Sequence, residues 1–156
     1  MTPGINVARK ARVRHRIHEY QHDPDSESYG TEAAEKTGAD PARVFKTLVA
    51  SVDNRELVVG VLPVTAMLSM KLIARATGGK KATMADKQEV QRATGYVPGG
   101  VSPLGQKRRL RTFIDQSARN FDTIYVSAGR RGLEIELAPE DLANLTGAAF
   151  TELRQK

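Results

Sequence analysis

With 156 residues, 40% of them hydrophobic and 27% charged, the chain suits one domain, 1–156, with a real core and is too apolar to be disordered. The absence of cysteine excludes disulfides, a thiol nucleophile and thiolate zinc sites, and 5% aromatics with no tryptophan argues against a row of stacked bases. A formal net charge of +6, from 24 basic and 18 acidic residues, leans toward a polyanionic partner.

The opening Met1-Thr2-Pro3-Gly4 starts no apolar leader, and no apolar run is long enough to span a bilayer. A cytoplasmic protein with no membrane partner is expected. Thr2 caps a first helix with Pro3 in its first turn, and Val13 to Tyr20 alternates like a strand. Gln21 to Gly30 reads as a loop, Thr31 and Glu32 as a helix start, and Gly38 as its stop. Asp40-Pro41 opens a short helix that runs into Phe45-Lys46-Thr47. Leu48 to Val52 and Glu56 to Leu62 form a hairpin across Asp53-Asn54-Arg55, with Pro63 ending the second strand. Ser69 caps a helix stopped by Gly78-Gly79, Lys81 to Met84 makes a short strand, and Asp86 with Glu89 opens a helix that ends near Gly95. Leu110 to Asp115 alternates. Phe121 to Ala128 and Leu133 to Ala138 flank a Gly129-Arg130-Arg131-Gly132 turn, a helix follows Pro139, and Phe150 to Leu153 adds an edge strand. The expectation is an α+β domain: a single mixed, largely antiparallel sheet with short surrounding helices.

Two stretches carry candidate chemistry. Gly95 to Lys107 holds Gly99, Gly100, Gly105, Pro98 and Pro103, so it is a shaped loop whose main chain can approach a ligand, with Ser102 adding a hydroxyl. The alternative is a structural crossover with a solvated basic end. Lys46 stands between Phe45 and Thr47 at the mouth of an apolar strand, where its ammonium is desolvated enough to hold a phosphate or a hydroxyl; a snorkelling surface lysine is the alternative. His15, His18 and His22 lack the helical zinc spacing, and even with Asp23 and Asp25 nearby they make a poor metal site, so no metal and no cofactor are expected. No nucleophile elbow, phosphate-binding Walker loop or base for Ser102 is present. Basic residues gather around Arg12, around Lys80 and Lys81, and around Lys107, Arg108 and Arg109, a phosphate-backbone footprint if the groups meet on one face.

Phe45-Lys46-Thr47-Leu48 and Gly99-Gly100-Val101-Ser102-Pro103-Leu104-Gly105 resemble the paired signatures of the YbaK/EbsC family of aminoacyl-tRNA deacylases, related to the editing domain of bacterial prolyl-tRNA synthetase. Tyr20-Gln21-His22-Asp23, Gly30 to Glu35, Met84 to Lys87 and Ile124 to Ser127 extend the resemblance over nearly the whole chain. It implies the family's editing-domain fold and hydrolysis of cysteine from mischarged tRNA(Pro), with Cys-tRNA(Cys) as a further substrate. By the same resemblance Lys46 takes the terminal adenosine and its phosphate. Gly99, Gly100, Ser102, Pro103 and Gly105 frame the ester, and Tyr20, Phe45 and Thr47 complete the pocket. Arg12, Lys80, Lys81, Lys107, Arg108 and Arg109 would contact tRNA.

The implied partners are cysteine-bearing tRNA(Pro) and, transiently, prolyl-tRNA synthetase, with no DNA. The family's chemistry lets the cysteine thiol attack its own carbonyl, so neither Ser102 nor any acidic residue, Glu136 included, is assigned a chemical step. Three alternatives stay open: an editor of another aminoacyl-tRNA such as Ala-tRNA(Pro), a tRNA-binding module without activity, and a small-ester hydrolase.

Overall fold

The computed structural model describes residues 1–24 and 29–156, the side chains of 29 and 30 excepted. The expected loop from Gln21 to Gly30 therefore lies partly outside the described residues. Helix α1 (Pro3–Ala11) is capped by Thr2, whose hydroxyl accepts from the Ile5 N–H at 3.3 Å, and it turns Ile5 and Ala8 inward. Strand β1 (His15–Glu19) follows, then α2 (Tyr29–Thr37), which begins two residues before Thr31 and stops at Gly38. The Asp40 carboxylate caps a single 3₁₀ turn at Pro41–Arg43. Strands β2 (Phe45–Val52) and β3 (Glu56–Pro63) meet across the three-residue loop Asp53-Asn54-Arg55, in which Asp53 and Asn54 take left-handed φ of 54° and 53° and the Arg55 N–H donates to the Val52 carbonyl at 3.0 Å.

Helix α3 (Met70–Thr77), strand β4 (Ala82–Met84) and helix α4 (Lys87–Thr94) come next, the helices capped by Ser69 and Asp86. After the glycine-rich loop run β5 (Arg111–Asp115), β6 (Ile124–Arg130), β7 (Leu133–Leu137), α5 (Pro139–Thr146) and β8 (Ala149–Thr151).

The strands form a ladder in the order β4-β2-β3-β5-β8 and a second in the order β1-β7-β6, joined by a parallel bridge between Val44 and Tyr125. Among the named strands only β3–β5 and β5–β8 pair in parallel, so the pairing is mixed and largely antiparallel with short helices around it, as expected. It forms two sheets rather than the single one expected, because the β1-β7-β6 strands pack across the core from the other five. The main core lies between the ladders: Phe45, Val49 and Val61 from one meet Ile124, Ile135 and Leu137 from the other, with α1 closing one side. A second cluster packs Ile73 of α3 and Leu153 against Leu62.

Two departures from expectation shape the site. Strand β2 starts at Phe45, not Leu48, because β3 stays extended through Pro63 and pairs Phe45 with Pro63, Lys46 with Leu62 and Thr47 with Val61. Lys46 thus sits on a rigid strand. Strand β6 continues past Gly129 to Arg130 through a bulge after Ser127, with Gly129 at φ +123°, so the turn shrinks to Arg131-Gly132.

Candidate functional site

A cleft of about 580 Å³ opens between the start of β2, the bulged end of β6 and the near side of the glycine loop, a volume suited to a small ligand group. Its floor is apolar, including Phe45, Leu48, Val64 and Val90. Its polar groups are Tyr20, Lys46, Thr47, Ser127 and Glu134, with Lys87, Arg130 and Arg131 also on the lining.

Lys46 is half-buried, and burial holds its ammonium below the usual lysine pKa. Among the described residues nothing hydrogen-bonds to it or pairs with it. The neighbouring Thr47 hydroxyl is buried without a partner among the same residues. A donor held dry and unmatched is costly unless a ligand completes it. Tyr20 is fixed by its own N–H, which donates to the Gly132 carbonyl at 2.9 Å; burial, then the Glu134 charge, raise its phenol pKa. Glu134 projects from β7 and is only 6% exposed, and burial pushes its carboxyl up to about 8. Arg130 reaches Glu19 in an exposed pair at 2.9 Å.

The glycine loop is tied to its own chain. The Gly100 N–H donates to Val97, the Lys107 N–H to Thr94, the Tyr96 phenol to the Leu104 carbonyl at 2.6 Å, and the Leu104 N–H to the Ser102 hydroxyl at 3.1 Å. Only the Pro98–Gly99 corner and Val101 face the cleft. Gly100 packs on β6, where a Cβ would stand 2.8 Å from the Arg130 Cα; Gly105 packs on α1, where a Cβ would stand 2.6 Å from the Pro3 carbonyl carbon. These two glycines serve close approach by protein backbone rather than by a ligand.

Of the residues singled out in the sequence, Lys46, Phe45, Thr47, Tyr20 and Gly99 therefore converge on the cleft. Gly100 lies behind it and Ser102 is wholly buried, while Pro103 and Gly105 line a separate groove with Val7, Arg108 and Arg109. That groove sets the third basic group beside α1. Lys80 and Lys81 stand at the hairpin end of β2, six or seven residues of strand from Lys46, roughly 20 Å at the usual rise. Glu134, Arg130 and Arg131 carried no sequence signal for a site, and Lys87 and Ser127 fell in stretches of family resemblance without being given a role.

The histidines are engaged elsewhere. His18 Nε2 lies 2.9 Å from Glu136, which also accepts from Thr123 and Arg43, and His22 Nδ1 lies 2.7 Å from Glu32. Burial would raise the Glu32 pKa, but hydrogen bonds from His22, the Asp23 N–H and Lys36 bring it down to about 2. No trio of metal-ligating side chains gathers among the described residues; Asp25 lies outside them.

A desolvated ammonium, an orphan hydroxyl and a buried carboxyl around an apolar cleft are fit to position a charged ester. The chain belongs to the aminoacyl-tRNA editing domain family, whose profile matches residues 23–145. It is homologous to the YbaK/EbsC trans-editing deacylases, a class that acts on mischarged aminoacyl-tRNAs. It is 36% identical over 155 residues, 99% of this chain and 94% of the relative, to EbsC of Enterococcus faecalis (strain ATCC 700802 / V583), provisionally named a Cys-tRNA(Pro)/Cys-tRNA(Cys) deacylase. It is 31% identical over 115 residues to the uncharacterised YwhH of Bacillus subtilis (strain 168), covering 74% of this chain and 73% of that one. A crystal structure provisionally described as a trans-editing enzyme for prolyl tRNA synthetase shares the fold at a TM-score of 0.84 and 24% identity, covering 100% of this chain and 99% of that one.

Proposed function

We propose that this protein removes cysteine from mischarged tRNA(Pro) in trans, and accepts Cys-tRNA(Cys) as well. The observation that carries the reading is Lys46: a half-buried ammonium on a rigid strand, with no partner among the described residues, in the cleft of an editing-domain fold. Its ligand is the phosphate or hydroxyl of the terminal adenosine. Thr47 supplies the adjacent donor, and Tyr20 and Phe45 wall the aminoacyl group. Gly99 and Val101 line the cleft, and their main chain takes the negative charge that develops on the ester carbonyl. Gly100, Ser102, Pro103 and Gly105 hold that corner in place.

The chemistry needs no protein nucleophile. The cysteine thiol gives up its proton and its sulfur attacks the ester carbonyl. The carbon–oxygen bond to the ribose breaks, the leaving oxygen takes a proton, and a thiolactone departs that water opens to cysteine. Proline and alanine lack the thiol, so binding them yields little turnover. The tRNA body meets the exposed basic groups at Arg12, at Lys80 and Lys81, and at Lys107, Arg108 and Arg109, in a transient cytoplasmic complex with prolyl-tRNA synthetase.

Single-turnover deacylation of Cys-tRNA(Pro), Ala-tRNA(Pro) and Pro-tRNA(Pro) by the purified protein tests the substrate. Release of cysteine should exceed that of the other two by about a hundredfold, the scale on which a missing reactive group discriminates. Faster release of alanine would reassign the enzyme to Ala-tRNA(Pro).

A further inference from the structure

Glu134 is used by none of the steps above, and its surroundings are unusual. The alternation Leu133-Glu134-Ile135-Glu136-Leu137 puts both glutamates on the face of β7 away from the main core. Glu136, toward the far end, is saturated by His18, Thr123 and Arg43. Glu134 sits between His18 of β1 and Ser127 of β6 in the strand register, yet neither serves it: His18 turns to Glu136, and the Ser127 hydroxyl accepts from the Gly129 N–H at 3.2 Å. Lys46 lines the same cleft without forming an ion pair to it. A carboxyl 94% withdrawn from solvent thus lines the same cleft as an unpaired ammonium.

A carboxyl that stays protonated until a cation reaches it, and an unpaired ammonium lining the same cleft, suit a ligand carrying one charge of each sign. The 3′ end of an aminoacyl-tRNA is such a ligand: phosphate on the nucleotide side, α-ammonium on the aminoacyl side. We infer that Glu134 receives the α-ammonium of the esterified amino acid and so restricts the cleft to esters with a free amine. An N-blocked ester, such as the peptidyl-tRNA of an elongating ribosome, carries no cation there and would leave the carboxyl buried and unpaired, so it is rejected although its ester is the same. The inference rests on the deacylase reading of the cleft.

The test compares two esters of tRNA(Pro): cysteinyl, and the des-amino analogue that keeps the thiol and drops the amine. The wild type should cleave the cysteinyl ester roughly 10- to 100-fold faster in kcat/KM, the scale of one charge-assisted hydrogen bond. Glu134→Gln, which keeps the shape, should lose about tenfold or more on the cysteinyl ester and stay within about twofold on the des-amino one. The wild-type ratio needs no variant: equal rates on the two esters overturn the assignment. A variant that slows both esters alike overturns it too and makes Glu134 a general base or a structural group. No release from either ester by the wild type removes the deacylase reading itself, and this inference with it.

Discussion

At the scale of single residues Glu134 answers to the cleft and Ser102 to the fold of the loop behind it. The Glu134 carboxyl has a folded pKa near 8 against an ordinary 4.5, so between those values the folded state holds a proton that the unfolded state has released. Stability attributable to this group is therefore full below about 4.5 and is lost as pH rises toward 8. Glu134→Gln removes that loss. Its melting temperature should match the wild type at the acid end and exceed it by several degrees at the alkaline end. A constant difference across pH would place the carboxyl in a better-solvated setting. Ser102 is wholly buried and accepts the Leu104 N–H, so its hydroxyl is structural. Ser102→Ala leaves that N–H unmatched, at a cost of about 1–3 kcal/mol in denaturant unfolding, with no acyl-enzyme to trap and single-turnover deacylation retained. A covalent adduct on Ser102 would contradict this.

At the scale of elements, the site depends on how the glycine loop is buckled to α1 and to the β6 bulge. Gly100→Ala drives a Cβ against the Arg130 backbone, and Gly105→Ala adds a Cβ against Pro3 at φ +70°. Each should lower the melting temperature, by more than about 1 kcal/mol in equivalent stability. Gly100→Ala should also slow deacylation, because the Gly99 corner and Arg130 share the cleft wall. Unchanged melting for both would mean the loop is loosely docked.

These contacts also mark how far the sequence could be read. The caps at Thr2, Ser69 and Asp86 and the Asp53-Asn54 hairpin are local signals, and each formed where its residues stand. Lys46 stood out because a charge beside an apolar run is rare. The loop's glycines announced close approach, but not by what: for Gly100 and Gly105 it is the chain's own backbone at Arg130 and Pro3, 30 and 102 residues away. Glu134 was illegible because its alternation is that of any half-solvated strand; the start of β2 and Tyr20, with which it lines the cleft, are distant in sequence. The two parallel pairings of β5 likewise leave no local signature.

At the scale of the whole molecule, the charge is arranged for a long polyanion. Arg9, Lys10, Arg12, Arg14 and Arg16 are all exposed along α1 and β1, and β1 leads to Tyr20 in the cleft. Arg108 and Arg109 border the groove beside α1. Substrate capture should therefore weaken with salt. Replacing Arg12, Arg14 and Arg16 with alanine should reduce the slope of log(kcat/KM) against log[salt] by about 2, at roughly 0.7 per phosphate lost. Replacing Lys80 and Lys81, at the far end of β2, should change it less. A salt-independent kcat/KM would remove phosphate contacts from the account. The central claim is that Lys46 holds the aminoacyl-adenosine end for hydrolysis. It is tested most directly by cysteine release from Cys-tRNA(Pro), wild type against Lys46→Ala, with Pro-tRNA(Pro) as control and melting temperature as the check on folding. Release about tenfold or more slower in a variant that melts like the wild type is the expected result; equal rates for the two proteins would contradict it.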